Sequence, residues 1–220
     1  NHSKITPIVS NNKMDVGCRI PNNDIALSLL SILDFPLAAP SANIATRTSV
    51  TSVKDLDTNL KEIFYIDGGS SVLGLESTVI KTTTDGCNIL RLGSLTIEEI
   101  KNKFPKYNIK IIHSNISPGN QLKHYSPKKP IRINVNDVKK NEVLLNYGKN
   151  KLNSNIKNMN LSKDEDLIEA SHNFYHYLNI LDKTDCASIA VAPIPEVGLG
   201  KTINDRLRRA TFKDKKLFNN

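Results

Sequence analysis

Tryptophan is absent from the 220 residues, and phenylalanine and tyrosine number six each. A core drawn from this chain is therefore aliphatic, built of Ile, Leu, Val and Ala. Only three cysteines occur, Cys18, Cys87 and Cys186, far apart and without a C-x-x-C pair. Their odd number and spacing argue against a disulfide framework or a zinc site, and suit the reduced thiols of a cytoplasmic protein. No run approaches the roughly 20 apolar residues that span a bilayer, and no signal-peptide pattern is found, so no membrane role is expected. The first residue is Asn1 rather than Met, and the expectation is that these residues are not the complete product. Acidic side chains are the minority, 22 against 30 Lys and Arg, for a net charge of +8. A basic balance draws nucleic acid and anionic ligands. Here Lys and Asn are scattered throughout, as in Lys149-Asn150-Lys151 and Lys157-Asn158. RNA contact and a plain compositional bias both remain open.

A hydrophobic fraction of 39% supports a core, in one large domain or two modest ones. Alternation predicts a strand over Met14 to Ile20, with Arg19 its sole charge. Asn23-Asp24 opens a helix carrying Ile25, Leu29, Leu30 and Leu33 on one face. Leu37 to Ala39 and Ile63 to Asp67 read as strands. Ser77 to Lys81 and Asn88 to Leu92 read as a strand pair turned at Asp85-Gly86. Thr96 and Glu99 form a capping box for a helix ending near Phe104. Pro105 to Pro130 has little periodicity and reads as a linker, long enough to be functional. Beyond it, strands are predicted over Ile131 to Val135, Val143 to Tyr147 and the apolar Ala187 to Ala192. A second capping box, Ser162 and Glu165, precedes a helical stripe of Leu167, Ser171, Phe174, Leu178 and Leu181. Ile203, Leu207 and Ala210 mark a last helix. The alternation defines a small α/β domain.

Several short constellations could carry chemistry. In Phe35 to Asn43 an apolar run halts at Pro40, which has no N–H for a central strand. Small Ser41, Ala42 and Asn43 follow, able to bend the backbone and admit a ligand. This is the floor of a small-molecule pocket or an ordinary strand-to-turn transition. Gly198-Leu199-Gly200-Lys201-Thr202 is nearly a phosphate-binding loop, but Pro195 stands where its first glycine belongs. His172 and His176 share a helix face at metal-ligand spacing, without a general base or a third ligand, so a solvated face is the simpler reading. Arg19 and Arg91, each at a strand's end, would suit a ligand with separated anions or would pair with carboxylates of the protein. Gly74 to Val79 places hydroxyls at the start of a strand. Lys123-His124-Tyr125-Ser126-Pro127 could cover a nucleotide or fasten the loop.

In order along the chain, Arg19-Ile20-Pro21, Phe35 to Asn43, Gly68-Gly69, Gly74 to Val79, Ile89 to Gly93 and His124-Tyr125-Ser126-Pro127 resemble the threonylcarbamoyl-AMP synthases of bacteria and archaea. The ending Gly198-Leu199-Gly200 with Ile203-Asn204-Asp205-Arg206-Leu207 is similar to that family's C-terminal signature, which displaces the phosphate-loop reading. The resemblance spans essentially the whole chain. It implies an α/β protein: a partial YrdC-type domain with a twisted mixed sheet over residues 1–103, a linker over 104–127 that covers the active site, and a small Rossmann-like domain over 128–220. It further implies an ATP-dependent nucleotidyltransferase, an L-threonylcarbamoyladenylate synthase using L-threonine and bicarbonate (or CO2), aided by Mg2+. Its product passes to a tRNA threonylcarbamoyl transferase system. By position, Arg19, Ala39 and Ser77 would hold threonine, and Ser41, Ser49, Arg91 and Tyr125 would line the ATP site.

Two departures accompany the match. The family's P-T-E-T-x-Y-G-L stretch and K-x-R motif are missing, so the chain is expected to enter the first domain midway. Asp15 stands where a small hydroxyl residue is usual near ATP, and Ala45-Thr46 replaces Ser-Gly. A carboxylate beside a triphosphate is unfavourable. An active half, a non-catalytic nucleotide- or RNA-binding fragment and an inactive remnant are the alternatives these departures leave.

Overall fold

The computed structural model describes residues 6–10, 12, 14–39, 42–43, 48–56, 64–112 and 126–211. The described residues within Asn1–Ser41 and Ile63–Gly69 make one unit, and those within Ala42–Glu62 and Ser70–Asn220 make another.

The first unit holds α1 (Pro7–Ser10) and α2 (Asp24–Ser31). Asn23 starts α2, as expected: its side-chain oxygen accepts from the Ala26 N–H at 2.9 Å. Residues 15–20, 36–39 and 64–67 carry no assigned strand, contrary to the strands expected there. Arg19 is accordingly exposed rather than set inside a sheet.

In the second unit, β1 (Val79–Thr82) and β2 (Gly86–Arg91) form the expected antiparallel pair, with Ile80 opposite Ile89. The turn is local chemistry: Thr83 donates to Asp85 at 3.0 Å, and Gly86 follows. A third strand, β3 (Asn108–Ile111), lies inside the stretch read as linker and pairs parallel to β2, so the sheet is mixed, in the order β1-β2-β3. Between β2 and β3 runs α3 (Ile97–Lys103), capped by the predicted Thr96–Glu99 box. Its Ile97 and Ile100 cover Ile89, with Leu92 and Ile109 alongside.

The second sheet is wholly parallel, in the order β4-β7-β5-β6, from β4 (Ile131–Arg132), β5 (Glu142–Asn146), β6 (Asn158–Asn160) and β7 (Ser188–Val191). Alternate side chains separate its two faces. Val143, Leu145, Ile189 and Val191 meet α4 (Leu167–Lys183) and α5 (Gly198–Thr211) through Phe174, Leu178, Ile203 and Leu207. Leu144 and Ala190 face the other way, onto Val135, Val138 and Leu152. Burial on both faces explains the apolar run Ile189 to Val191 of β7. The predicted stripe of α4 is buried as expected, but its cap is not the Ser162–Glu165 box. Glu165 sits in the left-handed region at φ 62°, and Asp166 becomes the N-cap, accepting from Ile168 and Glu169. Ser162 instead accepts from the Asp166 N–H and donates to Glu169.

Candidate active site

Three of the residues assigned by sequence lie in the second unit, and the fold connects them through their neighbours. Ser77 precedes β1 and Arg91 ends β2, opposite Val79. Arg91 is buried, and its Nε and Nη2 donate to the Ser77 carbonyl at 3.2 and 2.8 Å. One guanidinium thus fixes the backbone at which the Ser77 hydroxyl is presented. Ser49 donates to Glu76 Oε1 at 2.6 Å. The other carboxylate oxygen of Glu76 accepts from Arg206 Nε at 2.9 Å.

Glu76 and Arg206 had no assigned role in the sequence, although both stand in the motifs that carry the resemblance. Arg206 also donates to Asp205 at 2.5 Å and to the Leu92 carbonyl at 2.6 Å. Its side chain is 0% exposed and that of Glu76 13%. Burial alone would push the Glu76 carboxyl up; the Arg206 charge and the Ser49 and Arg206 hydrogen bonds outweigh it and hold the carboxyl below its usual range. Burial likewise opposes the Arg206 charge, and the Glu76 and Asp205 carboxylates reverse that effect. A signal was available in principle: a single carboxylate in Gly74-Leu75-Glu76-Ser77 requires a cation if buried.

The remaining assigned residues stand elsewhere. Arg19 and Ala39 belong to the first unit and are exposed. Ser41 and Tyr125 lie outside the described residues, as do Pro40, Ala45, Thr46 and His124. His172 meets the Ser71 and Val72 carbonyls at 2.9 and 3.1 Å, and His176 lies 3.8 Å from Asp55. That pair therefore joins α4 to two loops instead of converging on an ion. Among the described residues no group of three His, Cys, Asp or Glu could hold a metal ion. In the glycine-rich turn, Lys201 pairs with Glu98. A Cβ on Gly200 would fall 2.1 Å from the Pro195 carbonyl, so its glycine serves close packing. A cavity of about 440 Å³ opens at Arg132, Lys139, Lys140, Glu142 and Ser188, and none of the assigned residues lines it. No helix among the described residues is long and apolar enough to cross a membrane.

A mixed sheet bearing Ser77 beside the buried Arg91 is thus followed along the chain by a parallel sheet packed against helices. The family model Sua5/YciO/YrdC, described as telomere recombination, matches residues 1–93, and the model of the threonylcarbamoyl-AMP synthase C-terminal domain matches residues 95–211. The chain belongs to the threonylcarbamoyl-AMP synthase family. It is 30% identical to the threonylcarbamoyl-AMP synthase of Pyrococcus abyssi over 95% of this chain and 68% of that one. To the enzyme of Schizosaccharomyces pombe it is 35% identical over 60% of this chain, and the match spans only 36% of that protein. The crystal structure of P. abyssi Sua5 complexed with L-threonine superposes with a TM-score of 0.76 at 27% identity, covering 94% of this chain and 67% of that one. This chain is thus shorter than these relatives.

Proposed function

We propose that this chain takes part in making threonylcarbamoyl-AMP from L-threonine, bicarbonate (or CO2) and ATP, with pyrophosphate as the second product. The observation that carries the reading is its likeness to a protein crystallised with L-threonine. Arg19 would pair with the threonine carboxylate, while the Ala39 backbone and the Ser77 hydroxyl hold the rest of the amino acid. Ser41, Ser49, Arg91 and Tyr125 would line the ATP site. A hydroxyl has one proton, and that of Ser49 goes to Glu76. Toward ATP, Ser49 therefore offers lone pairs, suited to a ribose hydroxyl or an adenine N–H rather than to phosphate.

The chemistry is largely positioning. The threonine amine bonds to the carbon of CO2 and loses a proton, giving a carbamate. A carbamate oxygen attacks the α-phosphorus, and the bond to pyrophosphate breaks. Guanidinium groups stabilise the charge that develops on the phosphate oxygens. Magnesium, where used, is held mainly by the phosphates and water, and no step here is assigned to it. Residues 1–103 would form the catalytic part, extended by β3, the rest of 104–127 a linker that shields the acyl-phosphate product from water, and 128–220 the C-terminal domain. The product would pass to a cytoplasmic system that transfers the threonylcarbamoyl group to tRNA.

The test is pyrophosphate release from ATP by the purified chain with bicarbonate, with and without threonine, alongside calorimetric threonine binding. Threonine-dependent release is expected, and Arg19→Ala, which removes the cation assigned to the threonine carboxylate, should weaken threonine binding. No threonine-dependent release and no threonine binding would refute the reading. RNA binding that weakens steeply with salt, without turnover, would favour a nucleic-acid module instead.

A further inference from the structure

We infer that α5 of the C-terminal domain is a positioning element for the candidate site, acting through Arg206. Thr202 and Arg206 are one helical turn apart and share a face of α5. Thr202 donates to the Gly93 carbonyl at 3.0 Å, and Arg206 reaches Glu76 and the Leu92 carbonyl. Glu76 directly precedes Ser77, and Leu92 and Gly93 directly follow Arg91. The helix therefore grips both segments beside the residues assigned to substrate. The two segments also touch each other: Ser94 N–H donates to the Glu76 carbonyl at 2.8 Å, and Leu95 N–H to the Thr78 hydroxyl at 3.1 Å. Arg209 donates to both oxygens of Asp205, at 2.9 and 3.1 Å, which holds the carboxylate that orients Arg206.

A buried ion pair is a poor device for stability, because apolar side chains of equal volume often serve as well. What Arg206 supplies is direction. Its planar fork meets a carboxylate and a carbonyl from two different segments, which fixes their separation. The Ser49 hydroxyl, bonded to the same Glu76, is set by the same contact. The functional half of this inference rests on the threonine-site reading above.

The experiment uses the full chain with Arg206→Met, Arg206→Lys and Thr202→Val. Hydrogen exchange is followed at Ser94 and Leu95, with Leu144 and Ala192 of the parallel sheet as controls, bonded to Lys157 and Leu145 carbonyls. Threonine affinity is measured where the controls stay protected. With Arg206→Met, exchange at Ser94 and Leu95 should quicken at least about tenfold while the controls hold, and threonine affinity should fall about as much. Arg206→Lys should not rescue it, since an ammonium lacks the fork. Unchanged exchange at Ser94 and Leu95 overturns the inference, as does quickened exchange with threonine affinity intact. If Arg206→Met fails to fold, Thr202→Val decides by the same two readouts, with about a threefold effect expected. If the unmodified chain binds no threonine, the proposed function fails and the exchange result alone decides the positioning role.

Discussion

Replacing Glu142 by Gln should remove a pH-dependent share of the stability of the parallel sheet. The Glu142 side chain is 3% exposed. Its carboxylate accepts from Arg132 Nε at 2.8 Å and Nη2 at 2.7 Å, from Ser188 at 2.8 Å and from the Lys139 N–H at 2.9 Å. The Arg132 hydrogen bonds lead, and they outweigh burial, holding the carboxyl at about 2 against an ordinary 4.5. A group depressed on folding stabilises the native state above its unfolded value, and that contribution is lost as pH falls toward the folded one. The difference is worth about 3 kcal/mol at neutral pH, falling to less than about half of that near pH 3 and to little by about pH 2. Urea unfolding of the unmodified chain and Glu142→Gln, followed at the Leu144 and Ala192 amides from pH 7 to pH 2, gives that difference directly. It should be nearly flat above about pH 5 and close toward zero below. A gap that keeps its size down to pH 3 would refute the reasoning.

Two further substitutions probe the local geometry. In Gly93→Ala the new Cβ would lie 2.3 Å from the Thr78 nitrogen and 2.4 Å from the Glu76 carbonyl oxygen, backbone atoms that cannot swing aside. A loss of about 1–3 kcal/mol is expected in urea unfolding, and an unmoved midpoint would count against the tight contact. Asp166→Ala removes the acceptor for Ile168 and Glu169 at the start of α4. About 1 kcal/mol should be lost, whereas Ser162→Ala in the same assay separates this cap from the box that was expected.

Elements set by local chemistry were readable from the residues. The Asp85-Gly86 turn, the Thr96–Glu99 box and the buried stripe of α4 each need only a few neighbouring side chains. Segments that need a distant partner were legible only in part: the apolar residues of β4, β5 and β7 gave them away, whereas others did not follow their pattern. Met14 to Ile20 alternates, yet alternation does not provide an adjoining strand. Conversely β3 is short and almost wholly exposed, so it lacked the pattern that would have distinguished it from a linker. Glu165 shows a third limit, since a left-handed residue shifts a cap without altering the motif. For the candidate site, position along the chain singled out Ser77, Arg91 and Ser49. It did not reveal that Glu76 and Arg206 join their surroundings, because a pairing across 130 positions leaves no periodic trace.

That separation bears on how the molecule is made. The segments around Ser77 and Arg91 emerge from the ribosome long before the helix that clasps them, 130 and 114 positions later. Contacts so remote close slowly, and until then the Glu76 carboxylate lacks the cation that Arg206 will bring. Nascent chains stalled before α5 should therefore carry a formed hairpin whose far end is still open to proteases.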